Sequence, residues 1–176
     1  MNVLIAYTSK TGTTAECVAR LQRQLNGMDV TAVQIDRETP DLDAYDILVF
    51  GAPVRFGKLP KAVRQFLKEN EKKMIEMPHA LFLCCGLAHE YEYYIERLYS
   101  DELRSSAFLI ESFGGTLDYK GQSFFEKLLI HAIRSSIREN EIEDGDYTPE
   151  MPSILPESIG KMATYVRLEA EKLKKR

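Results

Sequence analysis

The residues best suited to chemistry in this chain lie in the run Thr8-Ser9-Lys10-Thr11-Gly12-Thr13-Thr14, which follows the short apolar segment Val3 to Tyr7 and leads into a stretch of helical period. A helix start presents amides that lack intrahelical acceptors, together with the positive end of the helix dipole, so such a loop is a natural phosphate cradle. Gly12 lets backbone approach a ligand closely, and the hydroxyls around it supply further donors. The spacing fits neither Gly-x-x-x-x-Gly-Lys-Ser/Thr nor Gly-x-Gly-x-x-Gly, which points to a monophosphate rather than a triphosphate or pyrophosphate. The same residues also suit plain capping of the helix by Ser9 or Thr11, with Lys10 either helping to hold phosphate or projecting into solvent.

Two further loops carry chemically suggestive residues. Gly51-Ala52-Pro53-Val54-Arg55-Phe56-Gly57 has glycines at both ends and a proline that predict an unusual path, a guanidinium, and an aromatic face for stacking. Cys84-Cys85-Gly86-Leu87-Ala88 ends another apolar run. Its vicinal cysteines suggest redox chemistry, but buried free cysteines at strand ends are ordinary core residues, and packing is expected of them and of Cys17. His79, His89 and His131 have no metal-ligand spacing, and no Ser-His-Asp or Cys-His hydrolase arrangement is discernible.

The elements that must position these loops alternate regularly. Apolar runs at Val3–Tyr7, Ile47–Phe50, Ala80–Cys85 and Ala107–Phe113 read as strands, as does the β-branched stretch Asp29–Ile35 between the first two, and Gly51-Ala52-Pro53 stops the third. Helical stripes lie between them: Val18, Leu21 and Leu25; Val63, Phe66 and Leu67; a single helix over Tyr91–Leu103; another over Gln122–Asn140; and a C-terminal one through Ile159, Met162, Ala163, Val166 and Leu173. Strand–helix alternation of this length predicts an α/β fold with a doubly wound five-stranded parallel sheet of order 2-1-3-4-5 and helices on both faces. Ligands of such sheets bind beyond the carboxyl ends of the strands at the switch between strands one and three, where the three loops converge.

Composition bounds the rest. The chain has 176 residues, 44% apolar and 28% charged, enough for one domain with a continuous core. A net charge of −4 argues against a nucleic-acid partner. No apolar stretch reaches the roughly 18–20 residues of a membrane span, and nothing at the N-terminus reads as a signal peptide. Three cysteines make no disulfide framework, so a reduced, cytoplasmic protein is expected.

Tyr7, Ser9, Thr11, Gly12 and Thr14 match Tyr-x-Ser-x-Thr-Gly-x-Thr, and here the chain resembles the flavodoxin family, whose FMN-phosphate signature this is. The resemblance implies that Ser9, Lys10, Thr11, Gly12, Thr13 and Thr14 wrap the FMN phosphate. It also implies that the flavin ring lies between Ala52, Pro53, Val54, Arg55, Phe56 and Gly57 on one side and Cys85, Gly86, Leu87 and Ala88 on the other. The stretch Tyr45-Asp46 through Gly51-Ala52 to Arg55-Phe56-Gly57 is similar to a narrower group, the menaquinone-dependent protoporphyrinogen oxidases. That likeness implies an FMN-dependent oxidoreductase passing electrons from a porphyrinogen to a quinone. A flavodoxin-type single-electron carrier with a redox protein partner and an NAD(P)H:quinone reductase stand as alternatives. Arg55 favours the enzyme, since a guanidinium stabilises the anion that reduced flavin forms at N1 and raises the potential. Leu87, in place of an acidic residue, points the same way.

The segment of about 114–156 is an insertion within the single domain of 1–176. Its part 120–138 combines Phe124, Phe125, Leu128, Leu129, Ile130, Ile133 and Ile137 with Lys120, Lys127, Arg134 and Arg138. Such a basic amphipathic helix can lie peripherally on the inner face of the cell membrane, cover an apolar substrate, pack on the sheet, or join two copies in a homo-oligomer. The acidic run from Glu141 to Asp146 weakens the membrane option.

Overall fold

The computed structural model describes residues 1–86, 90–115 and 153–175, with His131 and Ser135 besides. The expected helix over Gln122–Asn140, the 120–138 surface and the loop that follows it fall outside these residues, His131 and Ser135 apart.

Within them the central apolar runs are strands covered on both faces, while at one sheet edge Asp29 and Thr31 stay exposed. β1 (Asn2–Tyr7), β2 (Asp29–Gln34), β3 (Ile47–Pro53), β4 (His79–Cys84) and β5 (Leu109–Ser112) form one sheet of order 2-1-3-4-5 with every pair parallel. The helices are α1 (Thr13–Gln24), α2 (Lys61–Glu76), α3 (Tyr91–Leu98), α4 (Asp101–Ser106) and α5 (Pro156–Lys174). Side chains alternate across the sheet: Val3 and Ile5 pack beneath α1 and α5, Leu4 and Ala6 beneath α2, α3 and α4. The expected doubly wound topology is therefore the observed one.

Two expectations need correction. Gly51-Ala52-Pro53 does not stop the third strand; Gly51, Ala52 and Pro53 pair with Phe82, Leu83 and Cys84. Gly51 is required there by the Phe82 ring, which a Cβ would meet at 1.8 Å, and that ring stacks on Phe113 at 4.2 Å. Nor does one helix cover Tyr91–Leu103. It breaks at Tyr99 and Ser100, both extended, and α4 restarts with the Ser100 hydroxyl accepting from Leu103 N at 3.2 Å. A serine cap followed by two acidic residues starts a helix more strongly than the mixed pattern continues one.

The α1 face is fastened by the C-terminal helix. Arg167 Nη2 donates to the carbonyls of Gln24 and Asn26 at 2.6 and 3.0 Å, satisfying orphan oxygens at the end of α1. On the other face buried His79 sets its two ring nitrogens against the carbonyls of Met77 (3.1 Å) and Leu103 (3.0 Å), tying β4 to α4.

Candidate functional site

The carboxyl ends of β1, β3 and β4 bring the three loops together. The first leaves β1 through Thr8, whose backbone segment is held by the main-chain bond Ile35 N to Tyr7 O (2.9 Å) and by Gln34 Nε2 donating to Ser9 O (3.3 Å). α1 starts at Thr13 with Gly12 as its cap in the left-handed region, φ 101°. A Cβ at Gly12 would meet nothing within 4 Å, so the glycine serves the backbone conformation rather than a crowded contact. Glycine brings no side-chain acceptor to the first-turn amides. Ser9 provides one, its Oγ accepting from Ala15 N at 3.2 Å. Ser9 thus caps the helix, as the capping reading of this loop expected.

Of the remaining loop residues, Lys10 and Gly12 are exposed, Thr11 and Thr13 half-buried, and Thr14 buried. Thr14 turns inward, its hydroxyl within hydrogen-bonding reach of Cys84. Cys84 in turn bonds Cys17, and that bond, together with burial, holds the Cys84 thiol well above the usual cysteine range; the same bond lowers Cys17. Both are free thiols in the α1-side core, so they pack as expected, but against each other, which their separation in sequence hid.

The second loop is a tight reversal. Val54 N bonds Cys84 O at 2.9 Å, after which Arg55 and Lys58 exchange main-chain hydrogen bonds of 3.0 and 3.1 Å. The two residues between them, Phe56 (φ 51°) and Gly57 (φ 73°), are left-handed, as in the primed turns of hairpins. Phe56 is the one non-glycine residue with positive φ among the described residues, and it is 46% exposed. Arg55 is half-buried beside it. A Cβ on Gly57 would lie 3.9 Å from the Tyr94 ring, so α3 walls the turn. Burial and the Glu90 carboxylate, which accepts from the Tyr94 hydroxyl at 3.0 Å, push Tyr94 up to about 12.

Of the third loop, Cys85 is buried and Gly86 half-buried, while Leu87 and Ala88 lie outside the described residues. Gly115, after β5, packs close enough that a Cβ would stand 2.8 Å from the Cys85 carbonyl carbon.

Between the loops opens a cleft of about 160 Å³ lined by Thr8, Ser9, Lys10, Asp36, Pro53, Pro60 and Ala62. Thr8, Asp36, Pro60 and Ala62 were not singled out by sequence as ligands. The strand period, which places Thr8 on the same side as Leu4 and Ala6, is the signal that finds the first of them. Thr8 Oγ1 is buried and without a hydrogen-bond partner among the described residues. An orphaned hydroxyl, a hydroxyl-rich loop and a helix start capped by glycine suit a phosphate group. Among the described residues no group of three His, Cys, Asp or Glu is placed to hold a metal, and no helix is long and apolar enough to cross a membrane.

The family model for the flavodoxin domain matches residues 4–143. The chain belongs to the flavodoxin-domain family. The structure is similar to that of Fusobacterium nucleatum flavodoxin bound to flavin mononucleotide, at 16% identity, 96% of this chain, 98% of the other and a TM-score of 0.51. It is also similar to two-electron reduced Megasphaera elsdenii flavodoxin, at 18% identity, 62% of this chain, 84% of the other and a TM-score of 0.50. These likenesses show that the domain has the flavodoxin fold. Among curated proteins, the chain is 29% identical over 85 residues to the protoporphyrinogen IX dehydrogenase [quinone] of Escherichia coli K12, covering 47% of each chain. The same match recurs in strain O157:H7. The chain spans about half the length of the curated relatives it matches.

Proposed function

We propose that this flavodoxin domain is an FMN-dependent oxidoreductase that moves electrons from a reduced porphyrinogen to a quinone. The observation that carries the reading is the pairing of a hydroxyl-rich helix start with an Arg55-Phe56-Gly57 turn at the switch point. The identity shared with the E. coli dehydrogenases supports it. Bound FMN supplies a two-electron acceptor. Ser9, Lys10, Thr11, Gly12, Thr13 and Thr14 are the residues for its phosphate. Ala52, Pro53, Val54, Arg55, Phe56 and Gly57, with Cys85, Gly86, Leu87 and Ala88, form the loops for its ring. The Arg55 guanidinium stabilises negative charge at the ring, and the exposed Phe56 offers an apolar face to an incoming aromatic substrate.

The assay is anaerobic. The FMN-loaded chain is mixed with protoporphyrinogen and a menaquinone analogue, and porphyrin fluorescence is followed. Its appearance with both present supports the reading, and its absence with every analogue overturns the substrate. A second reading, a single-electron carrier, is favoured by the coverage of 96% of this chain by a flavodoxin. Accumulation of a one-electron state during reduction would select it. Rapid oxidation of NAD(P)H would select a pyridine-nucleotide-driven quinone reductase.

A further inference from the structure

Thr8 is left open by the phosphate-loop motif, yet it is the one residue of that loop whose buried hydroxyl has no partner among the described residues. It continues the alternation of Leu4 and Ala6 toward the α2 side, where neighbouring positions are apolar. It is 4% exposed, and valine has the same shape without the hydroxyl. A polar atom sealed into such a place without a partner destabilises the chain that carries it, so each such atom calls for a cause. Thr8 lines the cleft with Ser9, Lys10 and Pro53, at the point where the loop leaves β1 on its way to α1. Asp36 lines the same cleft but is exposed, takes a hydrogen bond from Gln34 Nε2 at 3.2 Å, and is screened by solvent.

We propose that the Thr8 hydroxyl is a further phosphate-binding group of this site, one whose partner is absent until the phosphate end of FMN arrives. The inference rests on the FMN reading above. It requires that one substitution act in opposite directions on the two states. Thr8→Val relieves the ligand-free chain of an orphaned hydroxyl and deprives the loaded chain of a hydrogen bond.

The test uses the full chain freed of flavin, with calorimetric titration of FMN and, separately, of riboflavin, and thermal melts with and without FMN. Thr8→Val is expected to melt a few degrees higher than the parent without flavin, and to bind FMN about tenfold more weakly. Riboflavin, which lacks the phosphate, should bind both alike. Thr8→Ser should retain parental FMN affinity, and Thr8→Ala, checked for folding by circular dichroism, should lose it as Val does. Unchanged FMN affinity in Val and Ala overturns the proposal and leaves the hydroxyl to a structural water. Equal weakening for FMN and riboflavin also overturns it, because the group would then serve a part common to both. If the parent chain itself ignores FMN, the functional reading falls first and this inference with it.

Discussion

Replacing Gly51 with alanine tests how the sheet aims the ring loop. The new Cβ would stand 1.8, 2.1 and 2.3 Å from Phe82 Cζ, Cε1 and Cε2, whereas carbon atoms at rest sit about 3.5–4.0 Å apart. The ring must therefore retreat by about 2 Å, or β3 must move away from it. Phe82 is fully buried and stacked on Phe113 at 4.2 Å and 14°, so retreat disrupts that stack. Overpacking costs about 1–3 kcal/mol and loss of an aromatic pair about 1 kcal/mol, for a total of about 2–4 kcal/mol. In a chain of this size that lowers Tm by roughly 4–16 °C. Urea melts of parent, Gly51→Ala, Phe82→Leu and the double variant measure the free-energy loss, and thermal melts the shift in Tm. The double variant should recover part of the loss, since the smaller side chain vacates the space. Gly51 lies two residues before the end of β3, so FMN affinity should fall in the single variant and return in the double. A Gly51→Ala loss below about 0.5 kcal/mol, within the range of ordinary surface changes, would refute the steric argument.

Further predictions follow from the same geometry. Arg55→Ala should lower the two-electron potential of bound flavin by about 30–65 mV, equivalent to losing a charge-assisted hydrogen bond of about 1.5–3 kcal/mol; an unchanged potential in spectroelectrochemistry removes Arg55 from that role. Arg167→Ala uncovers the carbonyls of Gln24 and Asn26 and should cost about 1 kcal/mol in a denaturant melt, with FMN affinity unaltered. Tyr94 ionises near pH 10 when unfolded and at about 12 when folded, so the unfolded chain binds fewer protons between those values and stability falls as pH rises from about 10 to about 12. Tyr94→Phe should flatten that part of the pH–stability curve, and an unaltered slope would place the effect elsewhere.

The fold was legible because buried parallel strands are nearly continuous apolar runs, and five of them at regular spacing leave few topologies. A long-range partner decides the role of Gly51, and a local cap decides that of Ser100. Gly51 looked like a stop signal because glycine and proline usually end strands, but the Phe82 ring crossing it turns the same residue into a requirement of the sheet. The ambiguous apolar pattern around Ser100 hides a helix start that its hydroxyl cap and the two acidic residues after it fix. The site loops were visible as motifs, since hydroxyls and glycines at a helix start have a local meaning. The inward turn of Thr14 toward Cys84, the Cys17–Cys84 contact and the unpartnered Thr8 hydroxyl were not visible as such, because each depends on what the sheet brings near.

The measurement that tests the central claim most directly is a stepwise anaerobic reduction of the chain saturated with FMN, followed by visible absorption. The account predicts a perturbed, bound-flavin spectrum that passes straight to the two-electron reduced form. A one-electron state accumulating midway, or an FMN spectrum that the protein leaves unchanged, would contradict it.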